Sequence, residues 1–365
     1  TFIIDFIKDK FDIENNCSIQ YLKKEITDHL IQLFNSEPID KDQKINEFIT
    51  KLKKNIIKNT QEYLVSELIQ GLYLEEEITF GDITFVPYSN ENHKKIYENY
   101  GAKQNMTDLL IDNKNNESIG CIAYSKIIAI DNSKAIEKID YKINQVLDIF
   151  RFYNIYENFG IYGNYKSFGH SKVTGYIKGK GFIFSAGVTG NKNKNLGSFK
   201  FTKERYISLQ KYAFLNNLNK ILTISENKRT PFQRKILLAI NWFVNIIQEW
   251  ENKNNIIFLF TILEILILVD SKKKGEQLFE RFILLNYKNK KDRETRISML
   301  KNLQASRNNL VHGGHCNYKE IEFNTILLDT HNLIMKYIEK FEIYSDITEI
   351  INIIELKKNE LEINW

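Results

Sequence analysis

The stretch IIFLFTILEILILV, residues 256–269, narrows the choice of fold more than any other part of the chain. It is longer than an ordinary strand and shorter than the ~20 residues that span a bilayer. A helix that is apolar on nearly every side has to be covered by other helices. It therefore predicts a helical bundle, and the flanking sequence supplies the partners. PFQRKILLAINWFVNIIQEW carries an apolar stripe at Phe232, Ile236, Ile240, Phe243, Ile247 and Trp250, with Pro231 suited to a first helical turn. Further helices are expected from Gln277, over RETRISMLKNLQASRNNLV, and from about Ile321 to Phe341. SDITEIINIIELKKNELEINW forms an acidic and hydrophobic tail.

Within this region SRNNLVHGG, from Ser306 to Gly314, brings a fixed cation, an amide and an imidazole to a helix end. The stripe Ile297, Leu300 and Leu303 runs into Arg307, which lies seven residues after Leu300 and four after Leu303 and so falls on the apolar face. Asn308 and His312 are spaced i,i+4. The Gly313-Gly314 pair supplies the helix stop. A buried guanidinium needs an anion, and Glu264 is an acid alone in an apolar run. The two can pair, with Arg234 and Arg281 as alternative partners for the acid. Arg307 and His312 lie about 140° apart around an ideal helix, so one straight helix does not aim both at one point. An inward structural arginine with an outward histidine has the same sequence. His312, His315 and Cys316 offer an H-x2-H-C spacing without a second ligand pair, and no metal site is expected.

The segment from about Pro231 to Phe341 resembles the HEPN family, most closely its Apea-like branch. An arginine and a histidine, here Arg307 and His312, close a main helix. A polar residue, Asn308, follows the arginine, and Gly313 follows the histidine. An earlier apolar helix carries one acid, Glu264. The resemblance covers about the last third of the chain. It implies a metal-independent endoribonuclease that uses the RNA 2′-OH as nucleophile. Arg307 and His312 would be catalytic, with Asn308 and Glu264 in support. It implies a homodimer through the C-terminal helical domain, two copies of the motif facing each other, and no cofactor. It also points to prokaryotic antiviral defence or abortive infection, with the protein as a toxin acting on transfer RNA or other RNA. The alternative is a catalytically silent HEPN module that binds RNA or nucleotides or assembles complexes. Some toxins of the family carry a modifiable tyrosine two residues after the histidine. Here Gly314 occupies that position and the nearest tyrosine is Tyr318.

The remainder reads as an α+β region, residues 1–229, that binds or senses something, followed by the helical domain 230–365. Residues 1–76 have helical spacing, with Pro38 between two segments. Residues 77–225 are mixed: ITFGDITFVPYS alternates like a strand or a hairpin and ESIGCIAYSKIIAID is a β-rich run of one or two strands. SKAIEKIDYKINQVLDIFRFYNIY has a helical stripe at Ala135, Ile139, Ile143, Val146 and Ile149. Between Gly160 and Gly197 lie nine of the chain's 16 glycines, with aromatics interleaved among lysines. Small strands joined by glycine turns fit that pattern, and so does a single-stranded RNA surface with Tyr176, Lys178 and Lys180 as substrate-binding residues. FTKERYISLQKYAFLNNLNKILTI reads as a helix and SENKRTP as a hinge-like loop, which places the boundary near 225–230. The fold class expected is mostly α, with a small antiparallel sheet in the N-terminal part.

Hydrophobic residues make up 43% of the 365, enough for a substantial core. The net charge of +5 permits an RNA partner without requiring one. Three scattered cysteines, Cys17, Cys121 and Cys316, give no disulfide framework. With no leader pattern at the start and no spanning run, the expected location is the cytoplasm, away from membranes. A phage-derived or nucleotide trigger is the expected ligand of the N-terminal region.

Overall fold

A computed structural model describes residues 17–34, 41–101, 119–158, 169–178, 199–204, 207, 213–248, 252–269, 275–287 and 290–358. These residues are mostly helical, with a small antiparallel sheet in the N-terminal half. Packing divides the chain into two compact units. One comprises 1–79, 83–144 and 168–203, and the other 80–82, 145–167 and 204–365.

The first unit opens with helices α1 (Ile19–Phe34) and α2 (Lys41–Asn59). Their inner faces meet around Cys17, Leu22, Leu52, Ile56 and Ile130, and His29 stacks on Phe48. The sheet follows: β1 (Gln61–Gln70), β2 (Leu72–Leu74), β3 (Ile78–Phe80), β4 (Ile83–Pro87), β5 (Ile119–Ala129), β6 (Gly169–Lys178) and β7 (Phe199–Phe201). Five strands run in the order β3-β4-β5-β1-β6, and β2 pairs separately with β7 in parallel. Helix α3 (Asn90–Asn99), which the sequence reading does not anticipate, follows β4 and is capped by the Ser89 side chain.

Strand β1 corrects the expectation that residues 1–76 are helical. The helix stops at Asn59, and the next residues form the strand between β5 and β6. Leu64 and Leu68 join Val86, Ile96, Tyr97 and Ile122 in one core cluster. On the alternate positions, Tyr63 donates to the Ile130 carbonyl and Glu67 meets Asp140. A strand covered on both faces reads as a nearly continuous apolar run, and its Leu64–Leu68 spacing imitates a helix. Of the strand or hairpin expected over ITFGDITFVPYS the hairpin is present, as β3 and β4, and ESIGCIAYSKIIAID is one strand, β5. Gly120 in β5 admits no side chain, because a Cβ there would lie 2.0 Å from the Leu72 carbonyl oxygen of β2.

Helix α4 (Asn132–Asn158) begins where Asp131 accepts from the backbone N–H groups of Lys134 and Ser18. Its expected stripe is fully buried: Ala135, Ile139, Ile143, Val146 and Ile149 are each at most 1% exposed. The residues of this helix up to 144 belong to the first unit, and those from 145 onward to the second.

The second unit contains α5 (Ala213–Thr223), α6 (Pro231–Gln248), α7 (Asn255–Ile267), α8 (Glu276–Asn286), α9 (Lys290–Gly313), α10 (Glu320–Glu339) and α11 (Ile347–Lys357). The division into compact units falls elsewhere than the expected 229/230 boundary, and the polar SENKRTP loop is held by Arg229. Arg229 is buried there and donates to the carbonyls of Ile221, Leu222 and Ile224 and to the Gln145 side chain. It caps α5 and ties the loop down, because a buried guanidinium persists only where its donors find acceptors. Phe232, Phe243, Ile236 and Ile240 form the inner face of α6. The Tyr337 hydroxyl donates to the Leu266 carbonyl at 2.8 Å, which fixes α10 against the end of α7. The buried ion pair Asp148–Arg151, at 2.7 Å, is completed by a hydrogen bond from Asn241. The tail forms α11, which begins with a capping box between Asp346 and Glu349. No helix among the described residues is long and apolar enough to cross a membrane.

Candidate functional site

Helix α9 carries Asp292 in its first turn, where an acid suits the helix dipole, and His312 in its last. It ends as the glycine pair predicts: Gly314 takes a φ of 69° and its N–H returns to the Leu310 carbonyl at 3.0 Å. The chain then folds back. The Ser306 hydroxyl lies 2.7 Å from the Asn317 carbonyl, and Asn302 donates to the Glu322 carboxylate on α10. These contacts hold the loop 314–319 against the helix end. Ser306 and Asn302 were not singled out from the sequence. Ser306 is buried one position before Arg307, and a polar residue on that face is a readable signal.

Arg307 leaves α9 toward α7. Its Nη2 lies 3.7 Å from Glu264 Oε1, and its guanidinium carbon 5.8 Å from the centroid of the Phe260 ring. The pairing of Glu264 with Arg307 is therefore the arrangement present, whereas Arg281 pairs with Glu355 at 2.9 Å. Phe260 and Glu264 are one helical turn apart on α7, so one face of that helix offers both a ring and an acid. Arg307 Nε is buried without a hydrogen-bond partner. The two side chains remain 31% and 27% exposed, so the pair sits at the rim of the bundle and not within the apolar core.

Asn308 and His312 are exposed. Among the described residues no contact joins His312 to Arg307, in keeping with their angular separation on a regular helix. The structure thus brings Arg307 and Glu264 together and leaves His312 and Asn308 on open surface nearby in sequence. Cys316 is half-buried; burial raises its thiol pKa, and the Lys253 ammonium acts in the opposite direction. The Tyr318 ring packs on Phe323 at 5.0 Å, and burial raises the pKa of its hydroxyl. No group of three or more His, Cys, Asp or Glu among the described residues is placed to hold a metal ion.

The stripe that runs into Arg307 is not an open face: Leu300 and Leu303 are 0% exposed, used up inside the bundle, and Ile297 is half-buried. Apolar side chains left open lie elsewhere: Val311 near the end of α9, and Ile321 and Leu328 on α10. The latter two line a groove of about 380 Å³ together with Glu320, Asn324 and Thr325.

Of the residues expected to bind substrate in the N-terminal region, Tyr176 and Lys178 lie in β6, paired with Val65 and Tyr63 of β1. Their side chains, and Lys180 altogether, lie outside the described residues. Comparison with family models, with curated proteins and with solved structures finds no match.

Proposed function

We propose that the C-terminal helical region is a metal-independent endoribonuclease of HEPN type. The observation that carries this reading is the setting of Arg307. Its guanidinium is oriented by Glu264 and Phe260 at the rim of the bundle, five residues before an exposed histidine at a helix end. A planar donor fork held in place suits the non-bridging oxygens of a phosphodiester. An imidazole suits the transfer of protons near neutral pH. In the proposed reaction His312 takes the proton of the RNA 2′-OH and the 2′ oxygen bonds to phosphorus. The bond from phosphorus to the 5′ oxygen breaks, and that oxygen receives a proton from an imidazolium. The products are a 2′,3′-cyclic phosphate and a 5′-OH end. Asn308 supports the site as a hydrogen-bonding group, and Glu264 by positioning Arg307.

Since Arg307 and His312 do not converge within one chain, the reading includes a homodimer through the C-terminal helical domain. His312 of one copy would act with Arg307 of the other. The α+β region would sense a phage-derived or nucleotide trigger or hold RNA through Tyr176, Lys178 and Lys180. The activity would serve prokaryotic antiviral defence by cleaving transfer RNA or other RNA in the cytoplasm. A second reading, a catalytically silent binding or assembly module, is favoured by the same lack of contact between Arg307 and His312. Incubation of the full chain with total RNA and a chelator separates the two. Fragments ending in 2′,3′-cyclic phosphate that disappear with His312→Ala are expected. Cleavage that persists in a folded His312→Ala protein, with contaminating nuclease excluded, would falsify the catalytic assignment.

A further inference from the structure

Cleavage through the 2′-OH moves two protons, and the two oxygens concerned lie on opposite sides of the phosphorus. While His312 takes a proton from the attacking 2′ oxygen, it cannot give one to the departing 5′ oxygen. A second proton carrier has to stand across the phosphate.

The loop after α9 supplies one. Gly313 and Gly314 separate His312 from His315, and three residues of chain span at most about 11 Å. The turn shortens that span: Gly314 takes a φ of 69°, and its N–H bonds back to the Leu310 carbonyl at 3.0 Å. The other end of the loop is tied as well. The Ser306 hydroxyl donates to the Asn317 carbonyl at 2.7 Å, and Asn302 donates to the Glu322 carboxylate at 3.2 Å. His315 is thereby held near the helix end that carries His312, between two fixed points.

Both histidines are exposed, and neither is engaged in a hydrogen bond or an ion pair among the described residues. The space beside the two intervening glycines is open. A Cβ placed on Gly313 or on Gly314 would meet nothing within 4 Å, so no side chain obstructs a phosphate there. The other titratable groups of the loop are less suited. Cys316 is half-buried. The Tyr318 ring packs on Phe323, and burial raises the pKa of its hydroxyl. Lys319 is paired with Glu322 at 3.6 Å. Arg307 does not give up its proton.

We propose that His315 is the general acid of the cleavage and acts beside His312 of the same chain. The inference rests on the nuclease reading. His312, neutral, takes the 2′-OH proton as the 2′ oxygen bonds to phosphorus. His315, as imidazolium, gives its proton to the 5′ oxygen as the bond from phosphorus to that oxygen breaks. One imidazole gains a proton and the other loses one, and exchange with water restores both.

The test uses the full chain and an oligoribonucleotide copied from a cleavage site mapped in total RNA. A second version carries sulfur in place of the 5′ oxygen at that site. A thiolate is a far weaker base than an alkoxide and departs without an acid. His315→Ala should lower kcat/KM on the ordinary RNA by about a hundredfold or more. On the sulfur-containing RNA it should lose less than about threefold, because the proton it supplied is no longer needed. His312→Ala should lose activity on both, since the 2′-OH still has to be deprotonated. Circular dichroism checks that both variants are folded. Ordinary RNA cleaved by His315→Ala at the wild-type rate would overturn the proposal and leave the nuclease reading standing. Equal losses on the two substrates would also overturn it, because His315 would then bind RNA or shape the loop and not deliver a proton. A wild type that cleaves neither substrate overturns both readings.

Discussion

Arg307 and Glu264 face each other across α9 and α7 at 3.7 Å, each with more than a quarter of its side chain open to solvent. This is an oriented pair at a rim, and its energetic weight follows from that. A largely screened ion pair contributes about 0–1 kcal/mol, and a guanidinium over an aromatic ring about as much again. Arg307→Ala should therefore cost about 1–2 kcal/mol in chemical denaturation, well below the cost of stranding a buried acid. Activity should behave differently. Arg307→Ala and His312→Ala should each abolish RNA cleavage without additive effects, and Arg307→Lys should lose cleavage while keeping near-native stability. Cleavage retained by Arg307→Lys would remove the planar fork from the mechanism.

Dimerisation, if it builds the site, has to use a surface other than Leu300 and Leu303, which the bundle consumes. Val311 and Ile321 are 54% and 72% exposed on the same domain. Light scattering of the wild type at micromolar concentration should give a dimer, and Val311→Asp with Ile321→Asp should shift it to monomer. A wild-type monomer with full activity would eliminate the two-copy arrangement.

His331 lies 2% exposed, stacked on Phe152 at 4.5 Å and tilted against Phe243. Burial lowers its pKa from 6.5 to about 4. The unfolded chain therefore takes up the proton first as pH falls. Stability from this group is intact above pH 6.5 and is lost progressively down to about 4, a change of about 3 kcal/mol. His331→Phe should flatten the acid side of the stability profile of the second unit, followed through tryptophan fluorescence in urea between pH 7 and 5. Parallel profiles for variant and wild type would show that another group carries the acid sensitivity.

Glu67 has the opposite sign. Burial in β1 raises its pKa, with the Asp140 contact acting the other way. A carboxyl held above its unfolded value contributes stability at low pH that is lost as pH rises through the folded value. Glu67→Gln should protect β1 and β5 amides from hydrogen exchange more than the wild type does, by a margin that grows from pH 5 to pH 8. A constant margin would mean that Glu67 is already ionised in the folded protein.

Legibility in the sequence tracked how local the determinant was. The stripe of α4, the β3–β4 hairpin and the glycine stop after His312 were readable because spacing and turn chemistry act within a few residues. That Glu264 would pair with an arginine was readable from charge, with Arg307 one candidate among several. Phe260 and Ser306 escaped notice although each sits one turn or one residue from a named position.

By itself the sequence determined that most of residues 231–341 would be helices around an apolar α7, and that one of them would end in a cation and an imidazole at a glycine stop. Those outcomes follow from side-chain period and backbone propensity, which each segment carries alone. The tertiary structure decided which neighbour covers each apolar face. It made residues 61–70 a strand, because β5 and β6 satisfy its backbone on both edges. It turned the polar loop at 225–230 into a clamp, because the Arg229 donors found the carbonyls of α5. It gave Leu300 and Leu303 to the interior, and it joined Arg307 to Glu264 while leaving His312 outside. A face, an edge or a charge is a local property, but its partner is chosen by residues far away in the chain.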